Sequence, residues 1–254
     1  MRIARCVLDA EPFYAVVEGD EVVALSGDPF FHGVQPTGTR HALDDVRLVA
    51  PIIPRSKVVG FGRNYAEHAA ELGNAVPESP LMFFKPNTSV VGPGEPVRLP
   101  SFSEQVSFEG ELAVVIGRIC KDVPAESAED VIFGYTVAND LTARDVQATD
   151  GQWARAKGFD GACPLGPWIE TELDPEDLTL QTEVNGELKQ DGSTSEMVHG
   201  VRALVAQASA AFTLLPGDVL LTGTPAGVGL VREGDRVDVT IEGIGTLTTH
   251  IVGE

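Results

Sequence analysis

Cysteine, basic charge and long apolar runs are all scarce in this chain of 254 residues. Three cysteines, Cys6, Cys120 and Cys163, stand far apart with no CxxC or Cys/His spacing, which excludes a disulfide framework and a zinc site. They read as reduced thiols packed as small apolar groups in a cytoplasmic protein. Only 18 Lys and Arg face 38 Asp and Glu, a formal net charge of -20. Such a surface repels phosphate backbones and anionic lipid, so neither nucleic acid nor membrane is an expected partner. No apolar run approaches the roughly 20 residues of a membrane span, and the opening MRIARCVLDAEPFY lacks the features of a cleaved signal. Tandem repeats, low-complexity tracts and like-charge blocks are also missing.

Glycine and β-branched residues are plentiful. Hydrophobic residues make up 43% of the chain, and 27 Gly and 17 Pro divide it into short runs, as in a folded, turn-rich protein. FYAVV and EVVAL flank Glu18-Gly19-Asp20, a hairpin signal, and Asn185-Gly186 between TLQTEV and ELKQ is a two-residue hairpin turn. KVVGFG, LMFFK, ELAVVIG, VIFGYTVAND, DVLLTG, RVDVTIEG and TLTTHIVG add further strands. APIIPRSK, with two prolines and no periodicity, marks a junction near 51–56. The expected division is a small β-rich segment over 1–55 and a main domain over 56–254.

Two helices are legible. Asn64 is placed to cap Tyr65 to Leu72, with Glu67 three residues on and Gly73 as the stop. Val201, Leu204, Val205, Ala208, Phe212 and Leu215 recur at helical spacing before the turn Leu215-Pro216-Gly217-Asp218.

Several side chains carry potential chemistry. In VSFEGELAVVIG, Glu109 and Glu111 are two apart, so a strand places both carboxylates on one face. Where that strand enters a core, the pair calls for a cation. Asp140, at the end of IFGYTVAND, supplies a third oxygen donor, a set that suits Mg2+ or Mn2+ better than Zn2+. A solvated edge strand with both glutamates in water is the other reading. His68 and Glu71, three apart on one helix, are arranged as a general base and the carboxylate that orients it, or as an exposed ion pair. Lys157 and Arg144 are cations close in sequence to Asp140, placed to receive an anionic substrate or to neutralise Asp160 and Asp145. The run from Gly223 to Gly229 follows a strand and reads by default as a tight turn; the alternative is backbone N-H groups offered to an anion, without the Lys-Ser/Thr ending of a nucleotide loop.

GRNYAEHAAELG, FFKPNTSVVGPGEPVRLP, VSFEGELAVVIG, GYTVANDLTARDVQ, AKGFDGACPLGPW and LLPGDVLLTGTPAGVG occur in this order from about Lys57 onward. Together they resemble the fumarylacetoacetate hydrolase superfamily, which includes acylpyruvate hydrolases, oxaloacetate decarboxylases and 2-hydroxyhepta-2,4-diene-1,7-dioate isomerases. The resemblance implies a mainly β fold with a few helices, an α+β mixed β-sandwich roll usually paired into a homodimer. It implies that Glu109, Glu111 and Asp140 bind Mg2+ or Mn2+, that His68 and Glu71 activate water, and that Lys157 assists at an oxyanion. Arg144, Gln147 and Thr224 are the implied substrate contacts. The implied reaction is hydrolysis of a C-C bond in a small anionic 2-oxo acid, an acylpyruvate-type β-diketo acid, through a metal-bound pyruvate enolate. Decarboxylation and isomerisation at the same site are alternatives, and a cation-stabilised β interaction module is the non-enzyme alternative. The opening fifty residues resemble the small N-terminal segment of bacterial members rather than the larger domain of the long fumarylacetoacetases.

Overall fold

Alternation along the strand Gly110–Ile116 organises the molecule, because both of its faces are apolar and every residue in it is buried. Leu112, Val114 and Ile116 join one core cluster, and Ala113 and Val115 join another on the opposite side. This is the signature of a strand inside a sheet covered on both faces. In the computed structural model, which describes residues 1–253, that sheet has twelve strands. Its central order is Arg2–Leu8, Cys163–Glu170, Ile132–Asn139, Gly110–Ile116, Val219–Leu221, Val58–Gly62 and Leu81–Lys85. The neighbours of the 110–116 strand pair antiparallel to it, Leu112 opposite Val137 and Val114 opposite both Tyr135 and Leu220. The edge-strand alternative for Glu109 and Glu111 is therefore excluded.

A second sheet of five strands, ordered Glu187–Ser193, Thr179–Val184, Arg236–Ile241, Gly245–Val252 and Pro96–Arg98, packs on one face of the first. Leu180, Val237, Val239, Leu247 and Ile251 from it share a core with Leu112, Val114 and Val137. A short third sheet joins Thr142–Ala143, Val106–Phe108 and Gly229–Leu230. The result is the expected mainly β sandwich with few helices. Gly110 packs tightly against the second sheet, and a Cβ there would stand 2.4 Å from Thr182 Oγ1 and 2.9 Å from Val239 Cγ1. Gly110→Ala is expected to cost about 1–3 kcal/mol through overpacking, read as a lowered denaturant midpoint with an unchanged slope.

Both predicted hairpins form. Glu18 pairs with Glu21 across the first. Asn185 and Gly186 both adopt left-handed backbone angles, φ 53° and 80°, in the second, as a two-residue turn of this type requires. The first fifty residues do not stand apart from the main sheet: Arg2 pairs with Glu170 and Ile3 with Ile169.

The two helices differ from expectation at their ends. The long one spans Val201–Ala211 and buries Val201, Leu204, Val205 and Ala208 at the predicted spacing. It stops before Leu215 because Phe212 turns extended and Leu214 bridges to Cys120, ahead of a proline that disfavours helical geometry at Leu215. The short one spans Ala66–Glu71 and has no side-chain cap. Asn64 makes other bonds: its amide donates to the carbonyls of His199 and Thr222 and accepts from the His199 N-H. Gly73, at φ 68°, does end the segment as expected. All three cysteines are free and buried, and burial pushes the Cys6 thiol up to about 11 and that of Cys163 to about 12. Among the described residues no helix is long and apolar enough to cross a membrane.

Candidate metal centre and active site

Glu109 sits between the 106–108 and 110–116 strands, Glu111 is the second residue of the latter, and Asp140 follows the paired strand Ile132–Asn139. Register brings them together, since Gly110 faces Asn139 and Glu111 faces Ala138. The Asn139 side chain accepts the Glu109 N-H, and the Asp140 N-H donates to the Glu109 carbonyl. One oxygen from each carboxylate lies within 4.8 Å of the others, and all three residues are buried.

Three cations surround them. Lys157 Nζ bridges Glu109 Oε2 at 2.6 Å and Asp140 Oδ2 at 2.5 Å. Arg144 donates to Glu109 Oε1 at 2.5 Å, and the buried Lys85 donates to Asp140 Oδ1. Burial drives the Glu109 carboxyl upward, but Lys157, Arg144 and His68 together outweigh that and hold it well below the usual range. Lys157 is held above the ordinary ammonium value because Asp140 and Glu109 outweigh the effect of its burial. Among the described residues Glu111 pairs with no cation, and its Oε2 accepts only the Gly223 N-H at 2.7 Å; burial, then Asp140 and Glu109, push its carboxyl well above the usual value. A buried, oxygen-only donor set in which one carboxylate has no ion pair of its own fits a hard divalent cation. The Gly223–Gly229 loop, by default a tight turn, gives backbone N-H groups to anions that are the protein's own carboxylates: Gly227 N-H lies 3.2 Å from both oxygens of Glu71.

Of the predicted dyad, His68 lines the same cavity and Glu71 lies beside it. His68 Nδ1 is 3.4 Å from Glu71 Oε2, and His68 Nε2 is 4.0 Å from Glu109 Oε1. His68 is buried, whereas Glu71 is about one-third exposed, so the exposed-pair alternative does not describe it. Burial, helped by Arg144, lowers the imidazole below its ordinary value despite Glu109 and Glu71, which leaves it neutral at pH 7. The cavity, about 400 Å³, is lined by His68, Glu109, Glu111, Arg144, Gln147, Lys157, Gly223 and Thr224 among others. Gln147 accepts from Arg144 at 3.0 Å. Thr224 donates to the Gly110 carbonyl and accepts from Gln190, whose own Oε1 takes the Gly110 N-H. Arg144 and Lys157 are not spent on Asp145 and Asp160: Asp145 instead accepts from Ser103 and the Glu104 N-H.

Residues 57–252 match the domain family described as fumarylacetoacetate (FAA) hydrolase C-terminal. The chain belongs to that family. Residues 1–51 match a second description, Rv2993c-like, N-terminal. Among relatives, Protein Rv2993c of Mycobacterium tuberculosis is 58% identical, with 99% of this chain and 98% of that one covered. Oxaloacetate tautomerase YisK of Bacillus subtilis is 39% identical, covering 93% and 84%. Among solved structures, 5-carboxymethyl-2-hydroxymuconate delta-isomerase from Mycobacterium smegmatis superposes with a TM-score of 0.93 at 50% identity, covering both chains fully. Fumarylpyruvate hydrolase from Pseudomonas aeruginosa, in complex with Mn2+ and pyruvate, superposes with a TM-score of 0.75 at 35% identity, covering 80% and 91%. Family relatives are thus enzymes named for tautomerisation, isomerisation and hydrolysis.

Lys85, Asn64, Asn139 and Gln190 hold the site, and sequence reasoning did not single them out as site residues. Lys85 carried one signal, a lysine ending the apolar strand LMFFK, where an uncompensated charge would be costly.

Proposed function

We propose that this protein is a divalent-cation-dependent enzyme of small 2-oxo dicarboxylates, and that its reaction is keto-enol tautomerisation of an oxaloacetate-type acid. The observation that carries this reading is a buried histidine beside a carboxylate, lining the same cavity as Glu109 and Glu111 of a buried acidic triad. Glu109, Glu111 and Asp140 hold Mg2+ or Mn2+, which when bound supplies Lewis-acid polarisation of the substrate's 2-oxo group. In the keto-to-enol direction His68 takes a proton from the carbon next to that group and delivers it to the enolate oxygen, and in the reverse direction it takes the enol O-H proton and delivers it to that carbon. Glu71 keeps Nδ1 as the protonated nitrogen and steadies the imidazolium, and Nε2 faces the substrate. Lys157 stabilises negative charge developing on the substrate oxygen, while Arg144, with Gln147 against it, grips the carboxylate beside the 2-oxo group. Thr224 borders the same space. Tautomerase and isomerase relatives at 39% and 50% identity support proton transfer as the core chemistry.

Acylpyruvate hydrolysis is the second reading. It is favoured by the fumarylpyruvate hydrolase likeness and by the same dyad, which is equally suited to deprotonating water. The proposal includes a cytoplasmic homodimer, in keeping with three free thiols and with the family resemblance.

The test offers Mn2+-loaded protein oxaloacetate and acetylpyruvate in parallel. Decay of the oxaloacetate enol absorbance, without acetate from acetylpyruvate, is the expected result, and pyruvate plus acetate would establish the hydrolase instead. His68→Ala is expected to lower enol decay by about 10²- to 10⁴-fold, the usual contribution of a positioned acid-base group. Retained Mn2+ binding in the titration calorimeter would separate that loss from a damaged metal centre.

A further inference from the structure

We propose that Arg63 is the specificity residue for a second, distal carboxylate, so that the site selects 2-oxo diacids over 2-oxo monoacids of equal length. This rests on the reading of the cavity as a 2-oxo acid site and assigns one more of its contacts.

The cations of the cavity divide sharply. Arg144 and Lys157 are engaged by Glu109 and Asp140. Arg63 also lines the cavity, half-buried, yet among the described residues it makes no ion pair and no side-chain hydrogen bond. In a chain of net charge -20, a cavity-lining guanidinium left without a carboxylate partner is a vacant anion receptor.

Its place along the cavity is also defined. Arg63 and Trp153 line both the active-site cavity and an adjoining groove formed by Leu81, Met82, Phe83 and Phe84, whereas Glu109 and Glu111 line only the former. Arg63 thus stands where the cavity meets the groove, and among the described residues it makes no ion pair with the triad. Beyond it the wall is aromatic, with Phe83 edge-on to Trp153 at 5.6 Å, so a charged substrate terminus finds its partner at Arg63 rather than in the groove.

The backbone holds it there at a cost. Arg63 has φ 58°, left-handed geometry that an L-residue with a long side chain adopts only under constraint. The constraint comes from both sides. Phe61 and Gly62 are fixed in the strand Val58–Gly62, and Asn64 is clamped by three hydrogen bonds to His199 and Thr222. A glycine would relieve the strain, but it would bring no charge.

Titration calorimetry of the Mn2+-loaded protein tests this with two pairs of probes, each differing only in a distal carboxylate against a methyl: 2-oxoglutarate with 2-oxopentanoate, and 2-oxoadipate with 2-oxohexanoate. The wild type should bind the diacid about tenfold or more tightly in at least one pair. Arg63→Gln should erase that preference, and Arg63→Lys should keep part of it, since a point charge replaces a two-pronged fork. Equal affinities within both pairs, or a preference that survives R63Q, would overturn the assignment. A wild type that prefers the diacid yet leaves the oxaloacetate enol untouched would sustain the role of Arg63 and defeat only the tautomerase reading.

Discussion

Glu109→Gln is expected to lower turnover by about 10³-fold or more and to remove tight Mn2+ binding. The side chain keeps its size, so the change is one of charge at the most connected atom group in the site. Glu109 joins Lys157 at 2.6 Å and Arg144 at 2.5 Å, and lies 4.0 Å from the proposed base. Its amide replacement offers one neutral oxygen in place of two anionic ones, and donates where Lys157 and Arg144 also donate. Lewis-acid activation contributes several kcal/mol to a transition state, and each 1.36 kcal/mol is tenfold in rate, which sets the expected loss at about three orders of magnitude. Metal analysis after desalting, together with initial rates, checks both halves. A variant that turns over normally with metal would remove Glu109 from the centre, whatever the substrate proves to be.

Replacing Lys85 by Met should destabilise the fold by about 3–5 kcal/mol, the range for removing one partner of a buried ion pair. Lys85 and Asp140 are both fully buried. Without the ammonium, Asp140 keeps Lys157 alone, which Glu109 shares, and the three carboxylates exceed their counter-charges by one. At about 2–4 °C per kcal/mol for a chain of this size, the melting temperature should fall by roughly 6–20 °C. Added Mn2+ should restore part of the loss through binding to the native state, so melting curves with and without the ion form the measurement. Equal melting temperatures for wild type and K85M would show that Asp140 needs no ammonium from that side.

Much of this arrangement was legible in the sequence, because it is local or periodic. Glu109 and Glu111 share a face through the two-residue strand repeat, His68 and Glu71 through helical spacing, and Asn185-Gly186 announces its own hairpin. Asp140 was reachable because it closes a recognisable strand. What spacing does not encode is pairing across long separations. Nothing near Lys85 in the chain points to Asp140, and nothing near Arg63 shows that it lacks a carboxylate. Asn64 misled for a related reason: its type and its place before a helix satisfy a local capping rule, but the carbonyls of His199 and Thr222 offered its amide buried bonds that a solvent-exposed cap does not match. The helix ending at Ala211 shows the same precedence, as the Leu214–Cys120 bridge overrides the continuing apolar rhythm.

The hydrogen bond from Gly223 to Glu111 joins residues 112 positions apart. At a synthesis rate of about 5–20 residues per second, the acidic strand leaves the ribosome roughly 6–20 s before the loop that satisfies it. Through that interval the nascent chain carries an incomplete cluster of carboxylates whose partners arrive in instalments, the Lys85 ammonium already made, the Arg144 and Lys157 cations next and the Gly223 N-H last. The centre is therefore the product of late long-range closure, and the cell's divalent cations meet this chain before its site is finished.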